Sequence, residues 1–158
     1  RSLITQFENL VEEGSSYLIE NFVVGKNDTK LRTTRHKFKL NFMGNTKCES
    51  SEADNIPTHS FSFQSFKLIL DGMDDAFLID IIEHVVEKDE MKELVKNGKT
   101  NKLIEFVLED LESNKLTCTL WGDYAEKMHQ YLMNNDSGGP IIVILHQCKL
   151  KTFNGQVG

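Results

Sequence analysis

The sequence predicts an all-β fold with short capping helices. Apolar and polar residues alternate with a period of two over 35–42, 104–108 and 116–121, which is typical of strands with one buried face. Asn97-Gly98 is a strong signal for a β-hairpin. A stretch of helical period follows the last of these strands, because Ala125, Met128 and Leu132 recur at i, i+3 and i+7.

The first 48 residues are expected to contain one helix and two strands. Apolar residues at helical spacing predict a helix from Leu3 to Val11, which Gly14 ends. Strands are predicted over 17–24 and 35–42, joined by turn residues at 25–28. The second strand has one face expected to be core and one cationic face: Phe38, Leu40 and Phe42 on the first, Arg35, Lys37 and Lys39 on the second. A cationic strand face can follow a phosphate backbone, or it can be an ordinary solvated surface.

The middle of the chain predicts a domain boundary. Residues 49–60 are polar and are interpreted as a linker, and an acidic turn follows at 72–75. The aromatic residues between them, Phe61, Phe63 and Phe66, are expected to pack onto the following domain. We therefore expect a first part over 1–48, a linker over 49–75 and a second domain over 76–158. The second domain is predicted as strand, hairpin, strand, strand, helix and a buried strand over 141–145.

The charge distribution limits the classes of partner. A net charge of −6 argues against a protein that coats duplex nucleic acid by charge alone. Seven lysines and arginines and one acid lie between Lys26 and Lys47, whereas nine acids and two lysines lie between Asp71 and Glu93. The basic segment favours contacts with nucleic acid, and the acidic segment favours contacts with protein.

Cysteine usage and hydropathy exclude further classes. Cys48, Cys118 and Cys148 are far apart and form no pair or cluster with zinc spacing, so we expect reduced thiols, no metal and no cofactor. No apolar stretch approaches the length of a membrane span, and the N-terminus lacks a signal-peptide core. We therefore expect a soluble intracellular protein with no membrane partner.

The only tryptophan lies at the end of the strand over 116–121. Leu116, Cys118 and Leu120 share the face expected to be core, so Trp121 falls on the polar face before Gly122 breaks the strand. An outward-facing ring of this size can stack on a nucleic-acid base, although a tryptophan at a strand end is also a common packing residue.

The stretch over 119–125, Thr-Leu-Trp-Gly-Asp-Tyr-Ala, resembles the signature of the second single-strand-binding OB domain in the large subunit of replication protein A, above all in its plant versions. Residues 7–48 resemble the end of the first such domain, whose opening strands are absent. The resemblance implies tandem OB folds, which are Greek-key barrels of five strands capped by a helix. The first barrel is expected to be incomplete and the second to lack its closing strand.

The resemblance also implies a function. It implies sequence-tolerant binding of single-stranded DNA in DNA replication, repair or recombination in the nucleus, with other replication protein A subunits or repair proteins as partners. Trp121 and Phe153 would stack on bases, while Leu31 stands where the family has a further stacking aromatic. Cations would neutralise phosphates, and the expected set is Lys96, Lys99, Lys102, Lys149, Lys151, Arg32, Arg35, Lys37 and Lys39. In the last stretch, Lys149, Lys151 and Phe153 share one face, and Leu150 and Thr152 share the other.

Two other functions stay open at this point. A protein-interaction module is favoured by the acidic segment and by Leu31, and binding of single-stranded RNA is compatible with stacking, which does not distinguish ribose from deoxyribose. The stretch over 136–140, Asp-Ser-Gly-Gly-Pro, is similar to the nucleophile segment of chymotrypsin-like serine proteases. The expected Ala-Ala-His-Cys type stretch is absent, and none of His36, His59 and His84 has the setting of a general base for Ser137. We therefore interpret the stretch as a loop and expect no enzymatic activity.

Overall fold

The chain divides into two compact units, Arg1–Phe61 and Ser62–Gly158. The structure, a computed structural model, describes residues 2–53, 55–96, 98–135, 138–153 and 156–157, and for Lys96, Phe153 and Gln156 it describes the backbone alone. The boundary between the units falls inside the stretch predicted as a linker. Within the described residues, no helix combines the length and the apolar character needed to cross a membrane. The same residues contain no group of three or more potential metal ligands.

The first unit is a two-stranded antiparallel ribbon with one short helix. Helix α1 (Leu3–Phe7) begins at Ser2, whose hydroxyl accepts a hydrogen bond from the backbone N–H of Ile4. Strand β1 (Tyr17–Lys26) pairs with β2 (Phe38–Ser50). The helix is shorter than predicted because the chain turns after Phe7, where the backbone N–H of Leu10 donates to the Phe7 carbonyl.

A bulge interrupts the ribbon and is held by Thr46. Glu20 pairs with Lys47 and Phe22 with Phe42, so Asn21 faces residues 43–46 of β2. The Thr46 hydroxyl donates to the Asn21 carbonyl at 2.7 Å and accepts from the backbone N–H of Met43 at 2.8 Å. Thr46 is buried and Asn21 has a φ of 58°. One hydroxyl therefore joins both strands at the bulge.

The apolar face of β2 is not buried, and the expectation of a core face is wrong for two of its three residues. Phe38 and Leu40 are 50% and 49% exposed, whereas the Phe42 ring packs edge-on against Phe7 at 5.1 Å. The reason is that the described residues of this unit provide no second sheet layer. A helix as short as α1 covers a single ring.

The second unit is built on an open sheet. Its elements are α2 (Phe66–Leu70), β3 (Leu78–Lys88), β4 (Lys92–Lys96), β5 (Lys99–Glu109), β6 (Lys115–Trp121), α3 (Asp123–Asn134), β7 (Ile142–Lys149), β8 (Thr152–Phe153) and β9 (Gln156–Val157). The sheet order is β4–β5–β3–β7. Strand β6 also pairs with β5, and β8 and β9 form a separate ribbon. As described, the sheet is not closed between β6 and β7.

The core of this unit lies under β5, β6 and α3. Ile104, Phe106 and Leu108 are at most 2% exposed, in the alternation that the sequence predicts. Helix α3 adds Ala125, Met128 and Leu132 to the same cluster. Phe66 of α2 is also fully buried there, so the expected packing onto the second domain is confirmed for Phe66 alone; Phe61 and Phe63 are 39% and 43% exposed.

Asp80 is a buried carboxylate that ties three segments of the second unit together. Its Oδ2 accepts from the backbone N–H of Ser62 at 2.8 Å, and its Oδ1 accepts from the backbone N–H of Gln147 at 2.9 Å. Oδ1 also lies 2.7 Å from Nδ1 of His146. Burial alone would raise the pKa of Asp80, but the hydrogen bonds from Gln147, Ser62 and His146 outweigh it and lower this pKa below its usual value.

Strand β7 differs from the buried strand that the sequence predicts. Val143 and Leu145 pack against the core, whereas Ile142 and Ile144 on the other face are 56% and 50% exposed. The expectation is wrong because a run of isoleucine and valine does not show how many faces of a strand are covered. In the described structure only one face of this sheet has a layer against it.

Candidate nucleic-acid interface

Trp121 lies on the solvent face of the sheet at the end of β6. Leu116, Cys118 and Leu120 face the core, whereas Thr117 and Thr119 are exposed, which confirms the two faces predicted for this strand. Trp121 itself is 46% exposed. It pairs with Leu103 of β5, which is only 5% exposed although it lies on the same outer face. About half of the indole is therefore open to solvent on the outer face of the sheet, which leaves ring surface on which a base can stack.

Gly122 fixes the direction of the chain after the indole. Its φ of 57° and ψ of −130° lie in a region that residues with a Cβ avoid, so the strand can turn directly into α3. Its backbone N–H donates to the Lys102 carbonyl at 2.8 Å, and its carbonyl accepts the N–H of Glu126. Trp121 is thus held between a strand pair and a helix start.

The hairpin between β4 and β5 carries the first predicted cations. Lys96 and Lys99 are paired at the end of the hairpin, and Lys99 lies on the same sheet face as Leu103 because the two are four residues apart. Lys99 is exposed and forms no ion pair with a described residue. The side chain of Lys96 and the whole of Asn97 lie outside the described part.

Lys102 lies on the opposite face from Trp121. Its ammonium is 2.7 Å from a carboxylate oxygen of Glu126 in the first turn of α3, and this hydrogen bond raises the pKa of Lys102. The pair joins β5 to the helix that follows Trp121. The structure therefore does not bring Lys102 together with Lys99 and the indole.

Carboxylates share the outer face with Trp121, and none of them is among the site residues predicted from the sequence. The Lys92 ammonium lies 3.0 Å from Asp89 and 2.7 Å from Glu105. The Lys115 ammonium lies 2.9 Å from Glu87 and 3.6 Å from Glu109. Hydrogen bonds to Glu105 and to Glu87, respectively, raise the pKa values of these two lysines. A sequence signal for them exists, because Glu105 and Glu109 alternate with the core residues of β5.

The C-terminal group of predicted residues lies at the other edge of the sheet. Lys149 ends β7 and is exposed, Leu150 is buried and Lys151 is exposed, as the alternation predicts. Thr152 is exposed rather than inward, because the chain leaves β7 after Lys149 and pairs in the separate β8–β9 ribbon. The side chain of Phe153 lies outside the described part. Two strands, β5 and β3, separate β7 from β6 in the sheet.

In the first unit the predicted cationic strand face is mostly a loop. Strand β2 begins at Phe38, so Arg32, Arg35 and Lys37 lie in the segment over 27–37. Asn27 closes this loop, because its side-chain amide donates to the carbonyls of Thr34 at 3.1 Å and His36 at 3.0 Å. The expectation of three cations on one strand face is therefore wrong.

Of that set, Lys39 alone lies on the strand. Lys39 pairs with Gly25 of β1, and its ammonium lies 4.0 Å from Oδ1 of Asp28. Arg32 is half-buried, Arg35 and Lys37 are exposed, and Leu31 is 38% exposed.

Each of three comparisons with known proteins gives a match. The family model described as "Domain of unknown function DUF223" matches residues 1–72. A 70 kDa DNA-binding subunit of replication protein A from Oryza sativa subsp. japonica is 22% identical over 156 residues, which cover 96% of this chain and 16% of the rice protein. A chain of the solved "Structure and Conformational Change of a Replication Protein A Heterotrimer Bound to ssDNA" is 19% identical and matches with a TM-score of 0.54 over 94% of this chain and 34% of that chain.

These matches confirm the resemblance to the large subunit of replication protein A. The chain spans about a sixth of the rice relative and about a third of the structural one. The expected fold class, an all-β fold of the OB type with short helices, is also confirmed, with sheets that are not closed.

Proposed function

We propose that this chain binds single-stranded DNA with little sequence preference, by stacking bases on Trp121 and by neutralising phosphates with nearby lysines. The observation that carries the proposal is the half-exposed indole at the end of β6, on the same sheet face as Lys99. A base stacked on an aromatic ring contributes about 1–3 kcal/mol, and every base has a face to stack. A duplex hides these faces, so single strands are preferred.

The predicted phosphate-binding cations differ in whether they already contact a carboxylate. Lys99, Lys149 and Lys151 are exposed and form no ion pair with a described residue, so a phosphate can bind them without breaking a contact. Lys39 would exchange its contact with Asp28 for one with a phosphate. We assign further phosphate contacts to Lys96, Arg32, Arg35 and Lys37, and a second stacking position to Phe153. Lys102 serves this function indirectly, by holding α3 through Glu126.

The comparisons support a place in DNA replication. The rice relative is named as DNA-binding, and the matched structure is that of a heterotrimer bound to single-stranded DNA. We therefore propose that this chain acts in the nucleus, in DNA replication, repair or recombination, as a non-catalytic protein with replication protein A subunits or repair proteins as partners. Co-purification of tagged chain with those subunits from nuclear extract tests the partners.

The stacking role is tested with the chain's own fluorescence. Trp121 is the only tryptophan, so quenching on addition of a mixed-sequence single strand reports on this site directly. Fluorescence anisotropy with labelled single-stranded DNA, single-stranded RNA and duplex, at two salt concentrations, then gives the preference. Trp121→Ala should weaken binding of the DNA strand by about tenfold or more. Tyr131→Ala is the matched control, because this ring is 49% exposed on α3.

Three outcomes of that experiment contradict the proposal. Equal affinity of Trp121→Ala and the unchanged chain removes the stacking role. Tighter binding of RNA than of DNA favours an RNA-binding function, and flat titrations with every nucleic acid favour a protein-interaction module.

The role of charge is tested by comparing lysines in different settings. Lys99→Gln should lower the dependence of log affinity on log salt by about 0.7, the value expected for one phosphate contact on a single strand. Lys102→Gln and Lys67→Gln should leave that slope unchanged, because both lysines are already paired with carboxylates. An unchanged slope for Lys99→Gln, or a reduced one for Lys67→Gln, argues against the hairpin as the phosphate site.

A further inference from the structure

An apolar patch lies on the outer face of β3 and β7. Ile82 is directly opposite Ile144 in the β3–β7 pair, and Ile142 lies two residues away on the same side of β7. These three side chains, the isoleucine patch, are 38%, 50% and 56% exposed, respectively. Paired residues, and residues two apart on a strand, lie within about 5–7 Å, so the patch is continuous.

Core packing does not account for these isoleucines. Val143 and Leu145 alternate with them and make the core contacts of β7. The solvent face of an antiparallel sheet with one covered side is normally polar. Grouped aliphatic side chains on such a face are typical of a surface that binds a partner.

The border of the patch is acidic. His84 pairs with Ile142 of β7 on one side and with Glu109 of β5 on the other. Glu109 therefore lies on the same sheet face as Ile142, with His84 between them. The single ammonium of Lys115 is shared between Glu109 and Glu87, at 3.6 and 2.9 Å, which leaves an excess of negative charge.

The turn after β5 adds more negative charge at this end of the sheet. Asp110 follows Glu109 directly and Glu112 comes two residues later, and neither forms an ion pair with a described residue. The side chains around this end of the patch therefore favour a cationic neighbour.

We propose that the isoleucine patch binds an amphipathic segment of another protein, in which a row of aliphatic side chains is bordered by lysines and arginines. The aliphatic row covers the three isoleucines, and the basic border pairs with the carboxylates around Glu109. A nucleic-acid strand would be repelled by the same carboxylates. In a symmetric dimer of this chain, two acidic borders would meet, which disfavours a second copy as the occupant.

This surface is separate from the indole. Glu109 lies six residues from Leu103, the partner of Trp121, which is roughly 20 Å along β5. Strand β3 lies between β5 and β7, so the β7 side of the patch is further away still. The partner segment and a single strand on Trp121 can therefore be bound together.

The test uses the full chain and a labelled helical peptide with leucines at i, i+3, i+4 and i+7 and lysines on both sides of that row. Two control peptides carry glutamates in place of the lysines or serines in place of the leucines. The paired change Ile142→Ser with Ile144→Ser should weaken binding of the basic peptide by more than about tenfold, as measured by fluorescence anisotropy. The paired change Glu87→Gln with Glu109→Gln should weaken it several-fold, and Trp121→Ala should have no effect. Amide signals of Ile82, Ile142 and Ile144 should shift in NMR spectra of the complex.

Four results overturn the proposal. These are absence of binding by lysine-flanked peptides, equal binding of the glutamate-flanked control, and undiminished binding after the paired serine change. The fourth is a dimer, seen by analytical ultracentrifugation, that the paired serine change dissolves, since the occupant is then a second copy. Circular dichroism checks that each variant is folded, which we expect because Ile142 and Ile144 are at solvent-facing positions where a polar residue is ordinary.

Discussion

Replacing Asp80 by alanine should destabilise the second unit by about 3 kcal/mol. The change removes three hydrogen bonds, from the backbone of Ser62, the backbone of Gln147 and the ring of His146. A hydrogen bond to a charged group contributes about 1.5–3 kcal/mol, and we take the lower end because water can reach donors freed at partly exposed positions. Three such bonds at about 1.5 kcal/mol each would contribute more than 4 kcal/mol. The alanine variant has no carboxylate to desolvate on folding, and this saving reduces the expected loss of stability to about 3 kcal/mol.

The assay is urea unfolding followed by the fluorescence of Trp121. This residue is the only tryptophan and lies in the second unit, so the signal reports that unit alone. Asp71→Ala is the matched control, because its carboxylate is exposed and makes a surface ion pair with Lys67 at 3.2 Å. The control should change the free energy of unfolding by less than about 0.5 kcal/mol. A loss below about 1 kcal/mol for Asp80→Ala would show that the carboxylate does not hold these segments together.

The same carboxylate gives the second unit a defined pH dependence. The hydrogen bonds lower the folded-state pKa of Asp80 below its ordinary value of 3.8. Its stabilisation is therefore complete above that ordinary value and is lost as the pH falls through the lowered pKa. The difference in unfolding free energy between the unchanged chain and Asp80→Asn should shrink in that acidic range. A difference that stays constant there would contradict this assignment.

Two further predictions concern the strand end and the thiols. Gly122→Ala should lower the free energy of unfolding by about 1–3 kcal/mol in the same assay, because alanine is strained at a φ of 57° and a ψ of −130°. The control is Gly139→Ala, which should be nearly neutral because Gly139 is at an open position without a positive φ. Equal losses for the two variants would contradict strain at Gly122. Burial raises the pKa of Cys118 to about 12 and that of Cys148 to about 11, so both thiols should resist iodoacetamide at about pH 8 until the chain unfolds. Mass spectrometry that finds rapid labelling of either thiol in the folded chain would contradict their burial.

The sequence predicted best where structure depends on neighbours along the chain. The faces of β6 follow from alternation alone, and Gly122 marks the end of the strand because only the backbone conformation matters there. The outward position of Trp121 needed no knowledge of distant residues. The fold class followed from the order of such elements together with one seven-residue stretch.

The predictions failed where the deciding partner is distant in the sequence. Burial of Phe38 depends on whether another layer covers β2, which periodicity does not contain. Lys102 resembles any hairpin lysine until Glu126, 24 positions later, is found beside it. Asp80 carried no local signal at all, since its partners lie 18, 66 and 67 positions away.

The Thr46 hydroxyl has a consequence for the fidelity of strand pairing in the first unit. A ribbon with so little buried surface gains almost nothing from side-chain packing that would penalise a one-residue slide of β2 along β1. Such a slide would carry the hydroxyl away from the Asn21 carbonyl and would turn Lys39 to the side where Phe38 and Phe42 now lie. Loss of this one oxygen, as in Thr46→Val, should therefore allow β2 to pair with β1 in several registers. The amide signals of both strands should broaden as a result.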